Sequence, residues 1–379
     1  GQGYEYVYGP DINPGQPHAE REDFRGVVLK DRLLGAIRRI NPSLPAEQAE
    51  TVVKEIADYH HNDTMLGNKE FYSWLVNGKK TTWRENGEEK TDIVKLVDFN
   101  NPDSNEFLAV KQFTVQGIDS TCRLDVVVFI NGLPMGIFEL KSAVSGSATI
   151  GEAYRQVERY KKEIPKLFLY NQVIGLSDLI NARHGTISSS WERYGTWKGI
   201  TTPTDAPKNT NQLEVLAKGL FDRTRLLDVL QNFFVFEADG DGEAVTFTKK
   251  MCLYHQYYGV NTTVESTLRA VRGEQDRKIG VFWHTQGSGK SLSMVFYVNK
   301  TKTIEELKSP AYLFLTDRED LDSQLYKTFK RTGYDHLAKR ANSIVDLKNK
   351  LQTVGSELIF TTIQKFQDDP DAKSVLTKK

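Results

Sequence analysis

The sequence predicts an α/β protein in two parts: a mixed-sheet domain over residues 1–243 and a nucleotide-binding domain over residues 244–379. Three observations predict it. Two β-prone runs, LDVVVFI (124–130) and MGIFELK (135–141), flank Asn131-Gly132, a dipeptide that favours a tight hairpin turn. HTQGSGKS (284–291) has the glycine spacing of a phosphate-binding loop. Between them ADGDGEA (238–244) reads as a linker, which places the boundary near residue 243.

The elements follow in order. DRLLGAIRRI and AEQAETVVKEIADY carry apolar residues three and four apart and predict two helices between about 26 and 60, separated by NPSLP. A β-rich stretch is expected from about 93 to 141, with VKQFTV (110–115) a strand ahead of the hairpin. Residues 148–163 predict a helix, and LFDRTRLLDVLQNFFVFE (220–237) predicts an amphipathic one. KIGVFWHT (278–285) is expected to be a buried strand entering the phosphate loop, and SLSMVFYVNK (291–300) a helix leaving it.

Composition narrows the class. Of 379 residues, 39% are hydrophobic and 26% charged, as in ordinary globular proteins, and no stretch approaches a membrane-spanning apolar segment. The N-terminal GQGYEYVYGPDINPG lacks the basic and apolar regions of a secretion signal, so a cytoplasmic location is expected. Cys122 and Cys252 stand far apart without metal-ligand spacing, against a structural zinc or a disulfide framework. Fifty basic residues balance fifty acidic ones; any nucleic-acid surface must be a local patch.

Two groups of residues carry chemistry. Glu139 and Lys141, two apart on one strand, share a face. If the hairpin register sets Asp125 beside either, two carboxylates and an ammonium converge, an arrangement that suits Mg²⁺ held by Asp125 and Glu139 with Lys141 positioning water. A half-exposed hairpin also carries Asp, Glu and Lys as solvated residues, so the pattern alone leaves both readings open. Gln156 and Tyr160, four apart on the following helix, either orient the lysine or a phosphate, or pack at the boundary of the core. In the loop, Gly287 and Gly289 can take positive φ and turn N–H groups toward a phosphate. Lys290 would reach the β/γ-phosphates and the Ser291 hydroxyl a Mg²⁺, while His284 stands where such loops usually begin with glycine.

The hairpin with D…ELK, the Q-x-x-x-Y helix, HTQGSGKS, the expected strand and turn FLTDREDLDSQL (314–325) and the expected strand IFTTIQKF (359–366), in this order, resemble the restriction, or motor, subunit of type I restriction-modification enzymes over nearly the whole chain. The resemblance implies a PD-(D/E)xK nuclease-like mixed-sheet domain followed by a RecA-like, parallel-sheet superfamily 2 helicase lobe. It places Asp125, Glu139 and Lys141 on the nuclease triad, with Gln156 and Tyr160 on the family's QxxxY element. Thr285, Gly287, Ser288, Gly289, Lys290 and Ser291 fall on the ATP loop, and Gln256 on an upstream adenine-reading glutamine. Asp317, Arg318, Asp320, Asp322 and Gln324 fall on one motor block and Thr361, Thr362 and Gln364 on the next, where they face DNA or support the motor. The implied cofactors are ATP and Mg²⁺, and the implied partners are double-stranded DNA and separate methylation and specificity subunits. Leu124 replaces the proline often found before the first aspartate, and no later D-E-x-H box, arginine finger or second motor lobe follows. The chain therefore reads as an N-terminal piece of such a subunit. A type III restriction subunit or a recombination nuclease-helicase places its nuclease after the motor, the reverse of this order. A non-cutting ATP-dependent scaffold is told apart by whether Asp125, Glu139 and Lys141 converge.

Overall fold

The computed structural model describes residues 2–141, 149–207, 210–240, 245–307, 310–352 and 355–367. The chain divides into two compact units, Gly1–Gln231 and Asn232–Lys379. The boundary expected near residue 243 lies outside the described residues.

The first unit is built on a six-stranded sheet of β1 (Glu5–Tyr8), β4 (Phe107–Gln116), β5 (Thr121–Ile130), β6 (Leu133–Leu140), β7 (Val173–Ser177) and β8 (Ala182–Gly185), in the spatial order β1-β4-β5-β6-β7-β8. The sheet is mixed: β1–β4 and β6–β7 pair parallel, the others antiparallel. Helices α1 (Lys30–Ile40), α2 (Ala46–Ala57) and α3 (Thr64–Asn77) precede a separate two-stranded hairpin, β2 (Lys79–Glu85) and β3 (Glu88–Val94). Helices α4 (Ile150–Glu163) and α5 (Pro165–Tyr170) lie between β6 and β7 in sequence, and α6 (Gln212–Gly219) and α7 (Arg223–Asn232) follow β8. The two helices expected between 26 and 60 are α1 and α2, and Asp63 caps α3 by accepting from the Met65 and Leu66 amides.

The hairpin forms where the sequence places it. Ile130 pairs with Leu133, leaving Asn131 (φ 53°) and Gly132 (φ 76°) as a two-residue turn of the primed kind. Gly132 is required twice over, because a Cβ there would collide with the Leu29 carbonyl. Every residue of β6 up to Glu139 is buried, as expected of a central strand covered on both faces.

The second unit holds a hairpin of β9 (Phe234–Asp239) and β10 (Thr246–Met251), then α8 (Tyr254–Val271) and α9 (Lys290–Thr303). Beyond them β11 (Tyr312–Thr316), α10 (Glu319–Phe329), β12 (Ala338–Arg340), α11 (Ile344–Gln352), β13 (Leu358–Thr362) and α12 (Gln364–Gln367) form a three-stranded, all-parallel sheet in the order β11-β13-β12 with its helices.

Three expectations are corrected. The helix expected over 220–237 stops at Asn232; Phe234-Val235-Phe236 are bulky β-formers, and they pair with Met251, Lys250 and Lys249 as β9. IFTTIQKF is a strand only to Thr362, after which α12 begins at Gln364. No strand forms over 278–285. Phe282 and His284 pack inward, with Phe282 against Gly259 of α8, while Val281 and Trp283 are 95% and 78% exposed. The alternation is that of a strand, but without a neighbour to share a ladder it stays irregular.

Candidate functional site

One polar cluster lies where β5, β6 and α4 meet. The ladder between β5 and β6 pairs Ile130 with Leu133 and Phe129 with Pro134, shifts by one residue, then pairs Val128 with Gly136 and Val126 with Phe138. One residue further along this register, Asp125 stands opposite Glu139, and residues opposite each other share a face. The Asp125 carboxylate accepts the Leu140 amide at 2.8 Å, which holds it against β6. The neighbouring Phe138 points to the other face, its ring 4.6 Å from that of Phe221.

Helix α4 covers this face, burying Ala153, Val157 and Tyr160 at helical spacing. The Lys141 ammonium donates to Glu139 Oε1 at 2.6 Å and to Gln156 Oε1 at 2.6 Å. The other end of the Gln156 amide donates to the Tyr160 hydroxyl, which donates in turn to the Arg123 carbonyl at 3.2 Å. Glu139, Lys141, Gln156 and Tyr160 thus form one continuous polar relay, with Asp125 facing Glu139 from β5 and bonded to the Leu140 amide beside it.

Glu139 is the unusual member. It is 1% exposed and its Oε2 has no hydrogen-bond partner. Burial, with Asp125 nearby, pushes its pKa up to about 7 against the pull of Lys141. A buried carboxylate oxygen without a donor, beside a second carboxylate, is the donor chemistry a divalent cation takes. Asp125 and Glu139 could hold such an ion. Burial also raises the Tyr160 phenol, which stays protonated and serves as a hydrogen-bond bridge.

The phosphate-loop residues lie in the second unit. Gly287 and Gly289 take φ of 80° and 81°, and Gly289 caps α9, which begins at Lys290. The Thr285 carbonyl gathers donors from the Ser288 amide, the Ser288 hydroxyl and Lys290 Nζ, and Lys290 also donates to the His284 carbonyl at 2.8 Å. Ser291 is half-buried at the second position of α9. Gln256 is engaged by the loop itself: its Oε1 accepts the Leu253 amide at 2.9 Å and its Nε2 donates to the Gly289 carbonyl at 3.1 Å. His255, next to it, was not singled out from the sequence; its Nε2 lies 3.2 Å from the Ser288 carbonyl and its ring 4.9 Å from that of His284. Burial and the charges of His255 and Lys290 lower the His284 pKa.

The remaining motif residues separate by burial. Asp317, Arg318, Asp320, Gln324 and Gln364 are exposed past the carboxyl end of β11 or β13, with Gln364 bonded to the Asp317 carbonyl at 2.8 Å. Arg318 grips Asp320 through two bonds of 3.0 and 2.6 Å. Asp322, Thr361 and Thr362 are buried, so these three do not face solvent. Asp322 is a brace, paired at 2.5 Å with Arg340. No local pattern reveals that partner, which lies eighteen residues on and is brought in by β12.

Known proteins match the chain in both units. The family model for the type I restriction enzyme R protein N terminus matches residues 1–193, and that for the SWI2/SNF2 ATPase matches residues 255–379. The chain is 39% identical over 371 residues to the type I restriction enzyme HindI endonuclease subunit of Haemophilus influenzae, covering 96% of this chain and 35% of that protein. It is 37% identical over 386 residues to the MjaIXP endonuclease subunit of Methanocaldococcus jannaschii, provisionally named as a type I restriction enzyme subunit, covering 96% and 36%. A type I restriction enzyme endonuclease subunit of Staphylococcus aureus, SauMSSORF170P, is 26% identical over 354 residues, covering 91% and 35%. The chain spans about a third of the length of these curated relatives. The R protein match takes in all of β1 to β8 and the whole Asp125-to-Tyr160 relay, more than half of the sequence, and the chain belongs to the type I restriction enzyme R protein family through its N-terminal region.

Proposed function

We propose that this chain carries the PD-(D/E)xK nuclease and the first RecA-like, ATP-binding lobe of the restriction subunit of a cytoplasmic type I restriction-modification complex. In this reading ATP drives translocation of double-stranded DNA, and the nuclease cuts unmethylated DNA away from the recognition site once motion stalls. The recognition sequence is read by separate methylation and specificity subunits. The observation that carries the reading is Asp125 set opposite Glu139, with Lys141 bonded to Glu139 and to Gln156. That convergence favours a cutting enzyme over a non-cutting scaffold.

Asp125 and Glu139 would hold Mg²⁺, which when bound polarises a phosphodiester for attack by water. Lys141, fixed between Glu139 and Gln156, keeps an ammonium beside the reacting phosphate, where it offsets developing negative charge and orients water. Gln156 and Tyr160 fix the lysine and perform no chemistry themselves. In the second unit Gly287, Ser288 and Gly289 offer amides to ATP phosphates, and Ser291 a hydroxyl to the nucleotide's Mg²⁺. A phosphate would compete with the His284 and Thr285 carbonyls for the Lys290 ammonium. Gln256, with its amide engaged at Gly289, links the loop to α8 and would sense its state. Asp317, Arg318, Asp320, Gln324 and Gln364 would form the DNA-facing edge of the motor, braced from within by Asp322, Thr361 and Thr362. The deciding experiment replaces Asp125 or Glu139 with Ala in the full-length subunit assembled with its partners. Cleavage should vanish while ATP hydrolysis persists; joint loss of both activities in a folded protein would contradict separate sites.

A further inference from the structure

Helix α4 presents a second polar face beside the one that carries Gln156 and Tyr160. Arg155, Arg159 and Lys162 stand at i, i+4 and i+7 and form a single stripe about 10 Å long at the rise of an α-helix. The Arg155 and Arg159 side chains are 71% and 58% exposed, and Lys162 is exposed as well. The nearest acids, Glu152 and Glu163, each lie 3.8 Å away, at the outer limit of an ion pair. Both carboxylates have other partners: Glu152 accepts the Thr149 amide at 3.2 Å, and Glu163 accepts the Cys122 thiol at 3.0 Å. Exposed pairs of this kind contribute little, so the two guanidinium groups are free to exchange partners. Glu158 on the same helix is occupied by Lys161 at 2.5 Å.

The stripe approaches the relay through Arg159, the neighbour of Tyr160 on α4. The Arg159 guanidinium lies 5.6 Å from the centre of the Tyr160 ring. Arg123, also exposed, lends its carbonyl to the Tyr160 hydroxyl on the other flank. Asp125 and Glu139 repel a polyanion that approaches them, and cations held only by loose, exposed ion pairs nearby offset that repulsion.

We propose that Arg155, Arg159 and Lys162, with Arg123, form the seat for the phosphate backbone of the duplex entering the cluster. The proposal rests on reading Asp125 and Glu139 as a DNA-cutting centre, and it adds the surface that presents the substrate. The occupant is a nucleic-acid duplex because the stripe lies next to a centre read as cutting one, and because side chains spaced along one helix face match a linear row of phosphates, read without base specificity.

The test uses the full 379-residue chain in chelator, so that nothing is cut, with a short fluorescent DNA duplex as the probe. Affinity is measured by anisotropy over about 50 to 200 mM salt, where each neutralised phosphate contributes about 0.9 to the slope of log affinity against log salt. The triple variant Arg155→Gln, Arg159→Gln, Lys162→Gln should lose about 2 to 3 units of slope and bind roughly tenfold or more weakly at the middle of that range. A control with three exposed cations removed elsewhere, Lys54→Gln, Lys80→Gln and Arg84→Gln, should keep the wild-type slope. Thermal melting followed by circular dichroism verifies that each variant folds. An unchanged slope in the α4 variant, an equal loss in the control, or no duplex binding by the wild type at the lowest salt overturns the seat. Cleavage by an assembled enzyme carrying Asp125→Ala overturns the underlying nuclease reading instead, whatever the slope.

Discussion

Replacing Tyr160 by Phe removes one oxygen atom and tests the relay link by link. The hydroxyl accepts from Gln156 and donates to the Arg123 carbonyl, while the ring is 1% exposed and remains in place. A buried polar group left without its partner costs about 1–3 kcal/mol. Gln156 is half-buried and can recruit water, which puts the expected loss of stability at the low end, about 1–2 kcal/mol. The functional loss should be larger than so small a destabilisation implies. Gln156 freed at its amide nitrogen no longer has a fixed carbonyl to offer Lys141, and loss of such support around a metal centre costs about 10- to 100-fold in activity or metal affinity. The assay is single-turnover cleavage by the assembled enzyme against Mg²⁺ concentration, with ATP hydrolysis followed in parallel. Cleavage should fall at all Mg²⁺ concentrations while ATP hydrolysis holds. A cycle with Gln156→Ala gives the sharper reading: if Tyr160 acts through Gln156, the second substitution adds little to the first, with a coupling of about 0.5–3 kcal/mol. Wild-type cleavage by Tyr160→Phe, or full additivity in the cycle, would refute the relay and assign both residues to packing.

Other consequences follow from buried charge and from the phosphate loop. Glu139 has a folded-state pKa near 7 against an ordinary 4.5, so its contribution to stability is present below about 4.5 and is lost as pH rises through 7. In chelator at pH 8, Glu139→Gln should therefore raise the unfolding free energy by up to about 3 kcal/mol, measured by urea titration, and added Mg²⁺ should stabilise the wild type only. His184 has the opposite linkage: it is 2% exposed with neither ring nitrogen hydrogen-bonded, and burial lowers its pKa to about 4. Its neutral form is favoured above the ordinary value of 6.5, and up to about 3 kcal/mol of stability should drain away as pH falls from 6.5 to 4. His184→Phe should flatten the unfolding profile across that window; an equally steep profile in the variant would place the titration elsewhere. If Lys290 takes a nucleotide phosphate as proposed, Lys290→Ala removes a charged hydrogen bond of about 1.5–3 kcal/mol and should cost roughly tenfold or more in ATP affinity by calorimetry. Undiminished binding would show that the loop does not take phosphate.

The part of the fold that local chemistry decides could be read in advance. Asn131-Gly132 fixed a turn, near-continuous β-prone apolar runs fixed β5 and β6, and three-four spacing fixed α1, α2 and α4. Asn86-Gly87 signals the β2–β3 turn by the same chemistry, with φ of 53° and 84°, but lay outside the stretches read as β-rich. What local patterns could not decide was pairing at a distance. The run 278–285 has the alternation of a strand but no ladder neighbour, and Phe233 gave no sign that a helix ended just before it. Burial of Asp322 depends on Arg340 arriving from another strand. In the cluster, the five residue types were legible; their convergence was conditional on a register that the ladder between β5 and β6 supplies.

That register has a consequence for how the site is encoded. Five residues separate Asp125 from the turn and six separate the turn from Glu139, and the extra residue is absorbed where the ladder shifts between Val128 and Phe129. Were the ladder unbroken, Asp125 would oppose Phe138, and Glu139 would emerge on the reverse of the sheet. The hairpin thus works as a counter. Its arms must differ by one whenever the shift is present, and in the Val126–Ile130 arm a single deletion would set Asp125 opposite Phe138, and a single insertion opposite Leu140, without altering any residue of the relay. Met135 can be spared in principle, since its removal equalises the arms and leaves the pair opposed, at the cost of the Met135 carbonyl that receives the Gln172 amide at 2.8 Å. The cluster is specified by a difference in length as much as by Asp, Glu and Lys, and an engineered or divergent relative can keep all three and still lose the site by one residue of parity.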